Sequence, residues 1–153
     1  MDLTQRQLRG LSAALLALSF AFAQGESKPN FSGTWKLNAA KSDLGGHDIG
    51  SLTLKIRHQD PELLMTHIRD GETLEFKLGT DGKEYSNETP DGTMKTTLHW
   101  ESGALIGSTD YAGHATFKDK WWITDDGRTM RITRHIKGPE GEQDWSIFFD
   151  KEK

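Results

Sequence analysis

The sequence predicts an all-β fold, an antiparallel up-and-down β-barrel of about eight to ten strands. Three observations carry that expectation. From Phe31 onward, apolar and polar residues alternate with period two, turn residues interrupt the alternation every eight to twelve positions or so, and helical periodicity is almost absent. Tight turns between successive strands favour a meander, and closure of the meander removes edges that would otherwise recruit other chains. A sandwich built from the same strands is the alternative architecture.

The 153 residues fit a single domain. Residues 1–23 carry Arg6 and Arg9, then an apolar stretch from Leu11 to Phe22, and end in Ala21-Phe22-Ala23, the pattern of a cleaved export signal. The expectation is therefore a leader at 1–23, a flexible lead at 24–30 and one barrel domain at 31–153, secreted or periplasmic. No later stretch approaches the roughly 18 apolar residues of a membrane-spanning helix. Lys and Arg number 19 against 23 Asp and Glu, a formal charge of −4, so nucleic acid is not an expected partner. Cysteine is absent, which excludes disulfides, thiolate nucleophiles and cysteine-ligated zinc. The oligomeric state is not legible.

The strands follow in order. Residues 32–38 open the barrel. In 51–58, Leu52, Leu54 and Ile56 share a face opposite Thr53, Lys55 and Arg57. Asp60-Pro61 ends that run, and 62–69 forms a strand whose Leu63, Leu64, Met65 and Ile68 fix no register. Asp70-Gly71 has the chemistry of a type I′ hairpin turn, and Leu74, Phe76 and Leu78 alternate after it. Asp81-Gly82 and Asp91-Gly92 read as the same device, flanking a polar strand at 83–87. In 93–100, Met94, Thr96, Leu98 and Trp100 point inward. Strands at 104–108, 113–123, 128–137 and 143–150 complete the set, with Ala115, Phe117, Trp121 and Ile123 on one parity.

Phe31-Ser32-Gly33-Thr34-Trp35-Lys36-Leu37 resembles the Gly-x-Trp signature on the first strand of lipocalins and fatty-acid-binding proteins, the calycin superfamily. Thr109-Asp110-Tyr111 is similar to the second lipocalin motif, and Arg134 follows on a late strand. The resemblance implies a calycin-like barrel that binds a small hydrophobic molecule, with Gly33, Trp35 and Arg134 as structural motif residues. It further implies that Arg134 packs across Trp35 and closes one barrel end. The alternative from parity is an Arg134 on the outer face. The form of the opening, through Asn38 and Lys41-Ser42, looks most like small exported bacterial lipocalin-like proteins. Two departures concern the mouth and the terminus: residues 39–50 are too rich in Gly and Asp for the paired helices of fatty-acid-binding proteins, and no helix follows the last strand.

Ligand pockets are mostly apolar with a few convergent polar groups. The inward set Leu54, Ile56, Leu74, Phe76, Met94, Leu98, Trp100 and Phe117 is the candidate lining, with Tyr111 and Arg134 as polar handles. A solidly filled interior is the competing reading, and it would shift the function to a structural or partner-binding role. One ring of Trp121-Trp122 must then face outward, as adjacent strand residues do. No catalytic residue is assigned: Asp70, Asp81, Asp91 and Asp126 have turn chemistry, and serine-nucleophile and phosphate-loop motifs are missing. No metal and no cofactor are expected, since the histidines lie on separate strands without zinc spacing. A haem-binding variant of the barrel would need an inward His67 or His114.

Overall fold

The computed structural model describes residues 27–153; the expected leader at 1–23, and the start of the lead, lie outside the described residues. Ten strands form in the expected order: β1 (Gly33–Leu37), β2 (Leu52–Gln59), β3 (Glu62–Arg69), β4 (Glu72–Gly79), β5 (Asp81–Thr89), β6 (Gly92–Glu101), β7 (Ala104–Tyr111), β8 (Ala115–Ile123), β9 (Thr129–Gly138) and β10 (Gly141–Lys151). Every strand pairs antiparallel with its sequence neighbours except at one place, and one further ladder is added. The first strand pairs with the last, β1 with β10, which curls the meander round. The exception is β4 and β5, which end the sheet order on opposite sides and face each other without a backbone ladder. The barrel is nearly closed.

A side chain stitches the remaining seam. Asn87 accepts from the backbone N–H of Lys77 at 2.8 Å and donates to the carbonyl of the same residue at 3.0 Å, so its carboxamide stands in for a strand partner. One end of the seam follows from the β5 sequence. Asp81-Gly82, expected to be a hairpin turn, instead sits inside β5, where the register with β6 shifts between Asp81 and Glu84. An Asp-Gly pair supplies a left-handed glycine that suits a bulge as well as a turn. Asp70-Gly71 does form the expected tight hairpin, with positive φ at both residues.

The β3 register that its sequence leaves open is fixed by its neighbours. Met65 lies opposite Ile56 and Phe76, so Leu63, Met65 and His67 face inward and Leu64 is left 37% exposed outside. Trp121 is buried inside, and Trp122 faces out between the cations of Lys120 and Arg131, whose guanidinium also covers Phe148.

Among the described residues no helix forms, and the β1–β2 connection is a strap. After a tight turn at 38–42, Asp43 and Ser146 exchange backbone bonds of 2.8 Å, which extends the β1 side of β10 toward the mouth. Leu44 is then buried, His47 approaches the Trp145 ring at 5.9 Å, and the strap ends at Gly50 beside Asp70.

Candidate ligand-binding interior

The two ends of the barrel interior differ. At the end where the chain enters, Phe31 is fully buried and its ring meets His58, Trp100 and Trp121 at centroid distances of 6.0, 6.1 and 6.3 Å. Its backbone N–H donates to His58 Nδ1 at 3.1 Å, and its carbonyl accepts from the Trp35 indole at 2.9 Å. Asp60 ties this plug to three elements, accepting from Thr80 at 2.5 Å and Trp100 at 2.8 Å and facing His58 Nε2 at 3.4 Å. Burial raises the Asp60 pKa, but those hydrogen bonds and the charge of Lys28 outweigh it and bring the value down to about 2. Above the plug, Leu63, Leu98, Leu105, Met130 and Phe149 are almost wholly inaccessible. This half is a packed core.

Toward the other end the inward-facing residues change character. Met94, Tyr111, Phe117, Arg134, Ile136 and Trp145 share the inner face with the buried residues of their strands yet keep accessible surface. Arg134 and His67 are the informative pair. Both are partly exposed on the inner face, the Arg134 side chain to 24%. With Met94, Phe117 and Ile136 also partly exposed, this half of the interior is more open than the packed half, and we call it the cup.

Its polar floor is an ion pair. Arg134 donates from Nε to Asp119 Oδ1 at 2.8 Å and from Nη2 to Oδ2 at 2.7 Å, the bidentate fork that guanidinium and carboxylate favour. The Phe117 ring covers the guanidinium at 4.5 Å. Gly107 lies opposite Asp119 on β7, and a Cβ there would sit 2.9 Å from Leu98 and 3.4 Å from the Asp119 Cβ, so the absence of a side chain makes the room the pair occupies. Beside it the buried hydroxyls of Thr96 and Thr109 bond each other at 3.0 Å. Burial opposes the charge on Arg134, but Asp119 overcompensates and raises its pKa. His67 has no such partner: burial first, and the Arg134 charge second, lower its pKa to about 4. At the rim, Tyr111 hydrogen-bonds Asp91, which raises the phenol pKa, and its ring stacks on Phe117 at 5.7 Å.

The residues expected to line a pocket therefore separate. Met94, Tyr111, Phe117 and the rim residue Leu74 are at the cup; Leu54, Ile56, Phe76 and Leu98 are buried in or against the packed half. Trp100 belongs to the Phe31 plug, where its indole bonds Asp60.

The expected Trp35–Arg134 contact is corrected. Arg134 pairs with Trp145 across β9 and β10, whereas Trp35 pairs with Lys151, six positions further along β10 and so roughly 20 Å away. The cation over Trp35 is Lys151, 5.3 Å from the ring, and its stem crosses Gly33 where a Cβ would lie 2.6 Å from Cε. Gly33 and Trp35 thus act together, with a different cation. Asp119 was missed although it shares the parity of Phe117 and Trp121; an acidic residue on an apolar inward face, with an arginine on the inward face of the next strand, is the signal that could have found it. His67 went unassigned because its strand fixes no register, and His114 stays in the exposed turn at 112–114.

No protein-family model matches the chain, and no curated protein does. Solved structures do. Zebrafish ileal bile acid-binding protein, in complex with cholic acid, aligns with a TM-score of 0.61 at 18% identity, over 80% of this chain and 98% of its own. Fatty-acid-binding protein 1 of Echinococcus granulosus aligns at 0.62 and 16%, covering 80% and 98%, and human cRBP IV at 0.61 and 15%, covering 81% and 99%. The fold is that of a calycin-like barrel. At these identities the likeness speaks for architecture, and the ten strands span nearly the whole length of each of these neighbours.

Proposed function

We propose that the protein is an exported carrier that binds a small hydrophobic molecule in the upper half of its barrel, the apolar part against Met94, Phe117 and Ile136 and the polar end toward Arg134. One observation carries this reading: inward side chains that keep accessible surface, Arg134 among them, beyond a core that is buried. A cup of that kind, mostly apolar with one convergent polar cluster, has the composition of a ligand site. The architecture shared with a bile acid-binding and a fatty-acid-binding protein supports it. Export rests on the leader pattern at 1–23, and the Ser32-Gly33-Thr34-Trp35 opening supports kinship with small bacterial lipocalin-like proteins.

Native mass spectrometry of the chain purified from its own host without denaturation tests the proposal. The expected result is an added mass of roughly a few hundred daltons that disappears on unfolding. A bare chain mass, unchanged after incubation with long-chain alcohols and fatty acids, would overturn it.

A further inference from the structure

The ion pair at the floor of the cup is complete before any ligand arrives. Both oxygens of Asp119 are bonded to Arg134, at 2.8 and 2.7 Å, and the Trp121 indole adds a bond to Oδ2 at 3.2 Å. The Asp119 side chain is 5% exposed and that of Arg134 24%, so the cup meets the outer edge of the guanidinium while the carboxylate stays behind it. Nε and one proton of Nη2 are used, which leaves the Nη1 edge to donate to a ligand oxygen.

We infer that the cup selects amphiphiles whose polar head is uncharged, such as long-chain alcohols or carbonyl compounds, over the corresponding carboxylates. This rests on the ligand-binding reading above and specifies its ligand class. A hydroxyl or carbonyl oxygen accepts from the guanidinium edge and brings no charge with it. A carboxylate meets the same donors, but the positive charge that would compensate its desolvation is already neutralised by Asp119. Two carboxylates on one guanidinium also repel each other through a medium that screens far less than water. The other polar groups at the floor offer no second cation: Thr96 and Thr109 are neutral hydroxyls bonded to each other, and His67 is uncharged near neutral pH, while the cation Arg69 stands at the rim, 56% exposed and 3.8 Å from the carboxylate of Asp70. The polar floor as a whole carries no net charge. An arginine in a binding cavity invites an anionic ligand only where its own counter-ion is absent.

The test compares dodecan-1-ol with dodecanoate near neutral pH, each displacing the uncharged dye Nile red from the purified chain. The alcohol should bind at least about tenfold more tightly, the order of discrimination that an uncompensated buried charge produces. Asp119→Asn keeps the shape of the side chain and exposes an uncompensated guanidinium, so the preference should move by about tenfold or more toward dodecanoate. Dodecanoate binding the wild-type chain as tightly as the alcohol overturns the inference and leaves the carrier reading standing. An Asp119→Asn chain that folds and keeps the alcohol preference also overturns it, because the preference would then not originate in the pair. If the dye and both amphiphiles fail to bind, the carrier reading itself falls. Should Asp119→Asn not fold, the wild-type comparison still decides.

Discussion

Arg134 and Asp119 are a pair whose removal has opposite consequences depending on how it is done. Arg134→Leu alone leaves a carboxylate that is 5% exposed without its cation, and should destabilise the fold by about 3 to 5 kcal/mol. Combining it with Asp119→Leu removes both charges, and urea unfolding should show much of that loss recovered. A double variant no more stable than the single one would mean that the pair is held by something other than mutual compensation. His67 makes a second prediction at this scale. Its pKa is about 4 in the folded chain and near 6.5 when unfolded, so between those values the unfolded state binds more protons. Stability should therefore fall as pH drops through that window, by no more than roughly 3 kcal/mol, and be unaffected by this group above it. His67→Gln should flatten the curve between pH 4 and 6.5 relative to wild type; a superimposable curve would show that His67 titrates normally. Parity in the sequence left an inward and an outer Arg134 both open, and the structure takes the inward one. Its partner was not legible, because Trp35 is ruled out only by where β1 and β9 each pair along β10, a long-range register that alternation leaves undetermined, while Asp119 is selected by the β8–β9 register.

The elements were legible wherever one face is wet and the other dry, and ambiguous where that contrast weakens. β2, β6 and β9 alternate, and their inward residues are those the sequence marks. β3 carries Leu63 and Leu64 in succession, so its facing had to come from Ile56 and Phe76 on either side. β5 is polar on both faces, and nothing local distinguishes its Asp-Gly bulge from a turn. That weak strand borders the one opening in the wall, which makes Asn87 a test of how the seam is held. Asn87→Ala removes both bonds to Lys77 and should cost about 1 to 3 kcal/mol, with faster hydrogen exchange concentrated at the Lys77 amide and its β4 neighbours. Asn87→Asp keeps the acceptor and loses the donor, so it should protect the Lys77 amide better than alanine does. Exchange at Lys77 equal in all three chains would show that the seam is closed by packing of β4 on β5 instead.

At the scale of the whole molecule the interior serves two purposes at two heights, and one strand samples both. Ile132 and Ile136 lie on the same face of β9, two pleat repeats apart, with identical chemistry. Ile132 is 4% exposed among Trp121, Met130 and Ile147, whereas Ile136 lies between Phe117 and Gln143 at the cup and keeps accessible surface. Deleting the same atoms should then have unequal effects. Ile132→Ala leaves a cavity in close-packed surroundings and should cost about 2 to 5 kcal/mol in urea unfolding. Ile136→Ala enlarges a space that is already open, so the cavity contribution is missing and the loss should stay near 1 kcal/mol, the transfer of a partly exposed side chain. The effects on binding should run the other way, with Nile red affinity lowered by Ile136→Ala and little changed by Ile132→Ala in the chain that remains folded. Equal destabilisation at the two positions would mean that the upper half is packed like the lower, and the barrel would then have no room for a guest.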